Sequence, residues 1–214
     1  MNEIKIRVTS PKDYPTTEAV MREAFWNVYK PGATEHYVLH LMRQWSSFLT
    51  EFDLIAVEGE RIVGNVVCNQ TYIAGDDRRY YRTIGVGPIG VLPEYQRQGI
   101  GAALLDRLRL IAATMNTRAL ILYGDPNYYL SKGFRAASDF KVRTEENYYA
   151  ASLMMFAFNS IVAGRYLENV SYRIDEAEFR LFDARFPIKE KIAGTSTQLR
   201  YKEVLAMRRR YRGS

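Results

Sequence analysis

The stretch from Gly85 to Leu105 constrains the fold of this chain more than any other part. An apolar run stops at Pro93, passes through a short loop of Gln, Arg and Gly, and continues as an amphipathic pattern. This order predicts a strand, a loop and a helix. The first N–H groups of a helix have no acceptor within it, and the helix dipole adds positive potential, so an anion binds well at this end. Arg97 adds a fixed positive charge to the same loop.

The glycines of this loop distinguish it from two common phosphate-binding loops. A Walker A loop would end in Gly-Lys-Ser/Thr, and no such ending follows Gly101. A dinucleotide fingerprint requires a third glycine, but Ala102, Ala103 and Leu104 come next. Because glycine lacks a Cβ, Gly99 and Gly101 let the backbone turn sharply and approach a diphosphate closely. A Gly-x-Gly before a helix also occurs in plain tight turns, and that alternative stays open.

The string V-L-P-E-Y-Q-R-Q-G-I-G-A-A-L-L, residues 91–105, resembles the acyl-CoA-binding motif of the GNAT superfamily of N-acetyltransferases. The resemblance implies acetyl-CoA as a co-substrate, with its diphosphate at the loop and its pantetheine arm along the edge of the preceding strand. In GNAT proteins a bulge opens this strand, and Gly87-Pro88 and Gly90 would tolerate such a break. The implied cofactor-binding residues are Ile89, Val91, Gln96, Arg97, Gln98, Gly99, Ile100, Gly101 and Ala102.

The rest of the chain predicts an α+β fold around one sheet. A strand from Ile4 to Val8 precedes two helices, then two strands joined by a turn at Glu58-Gly59-Glu60, and later a strand from Ala119 to Tyr123. This order agrees with the three-layer α/β/α architecture of GNAT proteins, whose central sheet is mixed and mostly antiparallel. The resemblance implies that the two early helices lie over the substrate side of the cleft.

The resemblance covers Ile4 to Val142 and is strongest from Gly85 to Phe134. The continuation G-D-P-x-Y-Y up to G-F is similar to a bacterial subgroup, the predicted acetyltransferases similar to YhbS. We therefore expect an acetyltransferase core over residues 1–142. Residues 143–214 are a C-terminal extension with a basic tail, and no Gly/Ser/Pro-rich linker separates them, so we expect them to pack on the same domain. Within the extension, the sequence pattern predicts a strand at 151–158 and helices at 175–186 and 198–212.

Tyr129 is the predicted proton donor for the departing thiolate. It stands four residues before Gly133, where GNAT enzymes usually carry a tyrosine that faces the thioester sulfur. A phenol with a pKa of about 10 stays protonated at pH 7 and can donate to a thiolate whose thiol has a pKa of about 8.5. Tyr128 is the alternative donor, and both rings are also candidates for simple packing.

The group that accepts the proton of the attacking amine is less evident. Many GNAT relatives carry a glutamate on the strand before the loop, but Thr83 to Val91 contains no carboxylate. Asp125, at the end of the next strand, is the candidate base or amine anchor, although Asp before Pro also forms turns. Many relatives also place an asparagine one or two turns before the tyrosine, whereas Asn127 is only two residues away.

Composition argues against several other functions. Cys68 is the only cysteine and lies in an apolar strand-like run, which predicts a buried residue, allows no internal disulfide and fits a reducing cytoplasm. No apolar run approaches the roughly 20 residues of a membrane span. His36 and His40 have neither an HExxH glutamate nor a cysteine cluster beside them, so we expect no metal.

The formal net charge of +6 is partly concentrated in Arg208-Arg209-Arg210-Tyr211-Arg212. No module with stacked aromatic residues precedes this tail, so neither a nucleic-acid partner nor a membrane is expected. The leading hypothesis is direct transfer of an acetyl group, within a ternary complex, to a primary amine of a small molecule or peptide. The alternatives are a catalytically silent acyl-CoA-binding or regulatory protein, and a homodimer formed along an apolar edge with Met154, Met155, Phe156 and Phe158.

Overall fold

The computed structural model describes residues 3–168 and 174–211. The helices in these ranges are α1 (Tyr14–Phe25), α2 (Glu35–Met42), α3 (Ile100–Ala113), α4 (Pro126–Leu130), α5 (Glu176–Asp183) and α6 (Ser196–Ala206). The strands are β1 (Ile4–Val8), β2 (Leu54–Glu58), β3 (Arg61–Gly75), β4 (Tyr80–Val91), β5 (Ala119–Tyr123), β6 (Arg135–Ala136), β7 (Val142–Arg143), β8 (Tyr148–Ala150), β9 (Leu153–Ala157), β10 (Gly164–Leu167) and β11 (Arg208–Arg210).

The early strands follow the sequence pattern closely. β1 has the predicted bounds, and β2 and β3 form the predicted antiparallel hairpin, whose turn holds Gly59 at φ 59°. β1 pairs antiparallel with β2. β3 is longer than the pattern indicated, because alternate side chains remain buried as far as Ile73.

The chain divides into two compact units. The first contains Met1–Asn69, Gly87–Leu108 and Val170–Gln198, and the second contains Gln70–Val86, Arg109–Asn169 and Leu199–Ser214. Each unit therefore draws residues from both sides of position 142. The compact units do not follow the sequence boundary between the core and the extension.

In the first unit, α1 and α2 supply most of an apolar cluster that also includes a β3 residue. Its fully buried members are Met21, Leu39, Met42 and Val67. α5, from the extension, contacts α1 in the same unit through Asp183, whose Oδ1 accepts a 2.7 Å hydrogen bond from Nε of the buried Arg22. The extension therefore contributes to the folded first unit.

In the second unit, β5 pairs in parallel with β4 on one side and antiparallel with β9 on the other. β6 pairs with the opposite edge of β9. The predicted strand at 151–158 is thus an interior strand, and Met154 and Met155 are buried. The homodimer prediction itself stays untested.

Most strand pairs are antiparallel, while β4–β5 and β7–β10 are parallel, and helices flank the strands. The predicted α+β class with a mixed sheet is confirmed. The predicted helix at 198–212 is too long, because α6 ends at Ala206 and β11 then pairs antiparallel with β8. Across residues 3–168 and 174–211, no helix combines the length and apolar character needed to cross a membrane.

Candidate active site

The loop before α3 leaves a run of backbone donors without backbone acceptors. The first hydrogen bond of the helix runs from the N–H of Ala103 to the carbonyl of Gly99, at 2.9 Å. Within the described part of the chain, no N–H of residues 97–102 donates to a backbone carbonyl. Residues 96–99 are also exposed. The amino terminus of a 14-residue helix therefore presents successive N–H groups without backbone acceptors, and the first three of them, at residues 97–99, belong to exposed residues.

The shape of this loop depends on two residues with left-handed backbone angles. Arg97 has φ 61° and Gly99 has φ 85°. A Cβ at Gly99 would meet no atom within 4 Å, so the backbone angle, not crowding, is what requires glycine there. The side chains on either side of Arg97 fold back onto the main chain. Nε2 of Gln96 donates to the carbonyl of Val91, and Nε2 of Gln98 donates to the carbonyl of Glu94, both at 3.0 Å.

β4 leads into this loop and is paired with β5 over a short distance only. Among the described residues, that pairing comprises Ile84 with Leu120 and Gly85 with Ile121. β4 then continues to Val91 without further pairing to β5. Ile89 is half-buried and Val91 is buried. The strand edge where the sequence predicted pantetheine contacts thus retains main-chain groups not used by β5.

In the second unit, Asp125 begins α4. Its Oδ1 accepts a 3.0 Å hydrogen bond from the N–H of Asn127. Its carbonyl accepts hydrogen bonds from the N–H groups of Tyr128 (3.0 Å) and Tyr129 (3.2 Å). An aspartate at this capping position typically stabilises a helix by about 1 kcal/mol. Asp125 therefore fixes the backbone from which both predicted donor tyrosines project.

The ring of Tyr129 lies directly over Gly124. A Cβ at residue 124 would overlap Cε2 of Tyr129 and lie 2.8 Å from Cδ2, so only glycine fits beneath the ring. The rings of Tyr128 and Phe134 pack edge-on against Tyr129, with centroids 4.9 and 5.5 Å away. Tyr129 is half-buried, whereas Tyr128 is exposed. Asp125 thus caps the amino terminus of α4, and Tyr129 lies within the same short helix.

Asp125 has a second partner that the sequence did not indicate. Nη2 of Arg200, on α6, donates to Oδ2 of Asp125. The side chain of Asp125 is only 9% exposed, while that of Arg200 is 50% exposed. Both carboxylate oxygens of Asp125 are therefore engaged. These contacts favour a positioning role for Asp125 over proton acceptance.

Glu168 is an acidic group that the sequence analysis missed. It follows β10 and is half-buried. Burial raises its pKa to about 7, with further contributions from the charges of Glu145 and Glu146. Burial also raises the pKa of Tyr123, the residue before Gly124, with further contributions from the charges of the same three carboxylates. No motif marks Glu168, because its pKa depends on residues distant in the chain.

The two histidines lie next to carboxylates, and the cysteine is buried. His36 Nε2 lies 3.0 Å from Asp183, and His40 Nδ1 lies 2.8 Å from Glu18. Cys68 is buried, and burial raises the pKa of its thiol well above its usual value. Among the residues with described positions, no group of three or more His, Cys, Asp or Glu side chains could hold a metal ion.

Residues 50–136 match a family model described as an acetyltransferase (GNAT) domain. This range includes the loop before α3, Asp125 and Tyr129, but not Glu168 or Arg200. No curated protein shows significant sequence similarity to the chain.

Solved structures share the fold. A GNAT family acetyltransferase from Brucella melitensis in complex with acetyl-CoA is 24% identical, with a TM-score of 0.63, over 78% of this chain and 96% of that one. The GNAT family N-acetyltransferase YhbS from Escherichia coli in complex with CoA is 23% identical, with a TM-score of 0.67, over 78% of this chain and 89% of that one. The likeness confirms the acyl-CoA N-acyltransferase fold expected from the sequence.

Proposed function

We propose that this chain transfers an acetyl group from acetyl-CoA to a primary amine, by direct attack in a ternary complex, because residues 50–136 match a model of the GNAT acetyltransferase domain. The observation that carries this proposal is the run of N–H groups at residues 97–102 without backbone acceptors. The two similar solved structures that contain CoA or acetyl-CoA support the same choice of co-substrate.

The loop before α3 and the strand that leads into it supply the groups for the cofactor. The N–H groups of residues 97–102 would donate to the diphosphate, and the guanidinium of Arg97 would offset its charge. The edge of β4 at Ile89 and Val91 that β5 does not use would pair with the amides of the pantetheine arm, in the manner of an added strand, and the carbonyl of Val91 already accepts from Nε2 of Gln96. A bound thioester is thereby oriented, which lowers the entropic cost of the bimolecular attack.

Tyr129 is the proposed proton donor. When the amine nitrogen attacks the thioester carbon, a C–N bond forms and the C–S bond breaks. The electron pair of that bond leaves with sulfur, and the hydroxyl of Tyr129 gives its proton to the thiolate. The products are an acetamide and the free thiol of CoA. Tyr129 recovers its proton from solvent before the next cycle.

Glu168 is our candidate for the group that accepts the proton from the amine. An effective general base has a pKa near the working pH, and the pKa of Glu168 is raised to about 7. The exposed carboxylates of Glu145 and Glu146 would also attract a cationic amine from solution. The acceptors that fit these charges best are cationic amines, on small molecules or on basic peptides.

The test is a turnover assay that measures release of CoA thiol from acetyl-CoA across a panel of amines, with product masses determined in parallel. We expect acetylated product from at least one cationic amine and little from acidic amines. Binding of acetyl-CoA without turnover on any amine would contradict the enzyme assignment and favour a catalytically silent acyl-CoA-binding protein.

A further inference from the structure

We propose that Arg200, in the C-terminal extension, is a positioning residue for Tyr129. The proposal rests on the acetyltransferase function given above. Arg200 lies outside the range matched by the family model and 71 positions after Tyr129 (200 − 129). Among residues 3–168 and 174–211, its guanidinium forms a hydrogen bond to Asp125 alone, so its influence on Tyr129 passes through that carboxylate.

The connection from Arg200 to Tyr129 consists of contacts within one unit. The guanidinium of Arg200 holds Oδ2 of Asp125, while Oδ1 of the same carboxylate caps α4 through the N–H of Asn127. The carbonyl of Asp125 accepts from the N–H of Tyr129. Residue 124, under the Tyr129 ring, is fixed in turn by a 2.8 Å hydrogen bond from its N–H to the carbonyl of Ser152. Gly124, under the ring of Tyr129, and Asp125, which bonds to its backbone, are therefore both anchored.

α4 needs such support because it has only five residues. A helix this short has too few internal hydrogen bonds to be stable by itself, so its geometry depends on its cap and on tertiary contacts. At its other end, Nη2 of Arg109 donates to the carbonyl of Lys132, and the Arg109 guanidinium stacks over Phe156 at 4.4 Å. Arg200 gives the amino-terminal end a comparable charged anchor.

Loss of the anchor should affect chemistry more than cofactor binding. A displacement of about 1 Å at a reacting group can lower turnover about 100-fold. The residues proposed to hold the CoA diphosphate belong to a different compact unit from Arg200 and Tyr129. Replacing it should therefore lower kcat while the KM for acetyl-CoA stays nearly constant.

The pair formed by Arg7 and Asp13 is a matched control. It too joins a half-exposed arginine (46%) to a nearly buried aspartate (8%), and Asp13 also accepts from a main-chain N–H, that of Ser10. It lies at β1, in the other unit. A general effect of losing one such ion pair on stability would appear in both variants.

The experiment compares Arg200→Ala, Arg200→Lys and Arg7→Ala by kcat, KM for acetyl-CoA and melting temperature. Each of these proteins is also prepared with 3-fluorotyrosine. The fluorine resonance of Tyr129 is identified as the one that is missing from the spectrum of Tyr129→Phe. We expect Arg200→Ala to lower kcat at least tenfold, to change KM less than twofold and to shift the Tyr129 resonance. Arg200→Lys should recover part of kcat, because it keeps the charge but loses the planar donor. Arg7→Ala should leave kcat and the resonance unchanged.

An Arg200→Ala protein with wild-type kcat and an unmoved Tyr129 resonance would overturn the proposal. So would an equal loss of kcat in Arg7→Ala. If the wild-type protein shows no turnover on any amine, the proposed function fails, yet the fluorine resonance still decides whether Arg200 positions Tyr129.

Discussion

The ring of Tyr129 occupies the space that a side chain at Gly124 would need. Gly124 lies between the end of β5 and Asp125, the cap of α4. The absence of a side chain at Gly124 therefore gives the ring of the proposed proton donor its place.

Gly124→Ala should lower kcat at least tenfold, because the new methyl group must push the Tyr129 ring aside. The KM for acetyl-CoA should change little. Steady-state kinetics would measure both constants. In a Tyr129→Phe background, the same substitution should cost much less, since the hydroxyl it misplaces is already gone. Equal losses of kcat in both backgrounds would contradict this explanation.

Tyr129→Phe should lower kcat about 100-fold or more, which is the usual contribution of a positioned general acid. Tyr128→Phe is the matched control, because its ring is the edge-on neighbour of Tyr129 and is exposed. We expect it to retain kcat within about threefold. If Tyr128→Phe carried the large loss instead, the donor assignment would move to Tyr128.

Glu168→Gln should remove a titration from the pH profile of kcat/KM. A base must be deprotonated, so the wild-type rate should rise with pH through about 7. The variant should lack that step and be slower at pH 8. Glu146→Gln should keep the maximal rate but shift the step to lower pH, because it removes a negative charge that raises the pKa of Glu168. A step that survives in Glu168→Gln would exclude this residue as the base.

His36 should make the fold sensitive to mild acid. Burial lowers its pKa to about 4, against an unfolded value of about 6.5. Between pH 4 and pH 6.5, His36 therefore binds more protons in the unfolded chain than in the folded one. The free energy of unfolding that neutral His36 preserves is complete above pH 6.5 and is lost as the pH falls toward 4. The expected loss from pH 7 to pH 5 is about 2 kcal/mol. Urea unfolding of His36→Gln should show a smaller loss over the same interval, and an equal loss would contradict the assignment.

Much of the fold follows from local patterns. Alternation of apolar residues predicted β1, and the turn at Glu58-Gly59-Glu60 predicted the hairpin of β2 and β3, because both depend on neighbours in the chain. The helix after the loop was also predicted, and it begins at Ile100, between the two glycines. α6 was predicted too long, because its end depends on pairing between β11 and β8, which local propensity does not encode.

The candidate site was only partly predictable for the same reason. The loop and Tyr129 belong to contiguous motifs, so one sequence is enough to find them. The ion pair between Asp125 and Arg200 joins residues 75 positions apart, and the pKa of Glu168 depends on burial and on Glu145 and Glu146. Neither relationship leaves a pattern in the sequence. Both require the tertiary structure.

The most direct test of the account is calorimetry of the purified protein with CoA and with pantetheine, which lacks the diphosphate. We predict saturable binding of CoA and at least tenfold weaker binding of pantetheine. Arg97→Asn, chosen because asparagine tolerates the left-handed backbone of residue 97, should weaken CoA binding about tenfold through loss of a charge-assisted contact. Two results would contradict the claim that residues 97–102 hold the diphosphate. One is no association of the wild-type protein with CoA. The other is that CoA binds wild type and Arg97→Asn equally well and that wild type binds pantetheine as tightly as CoA.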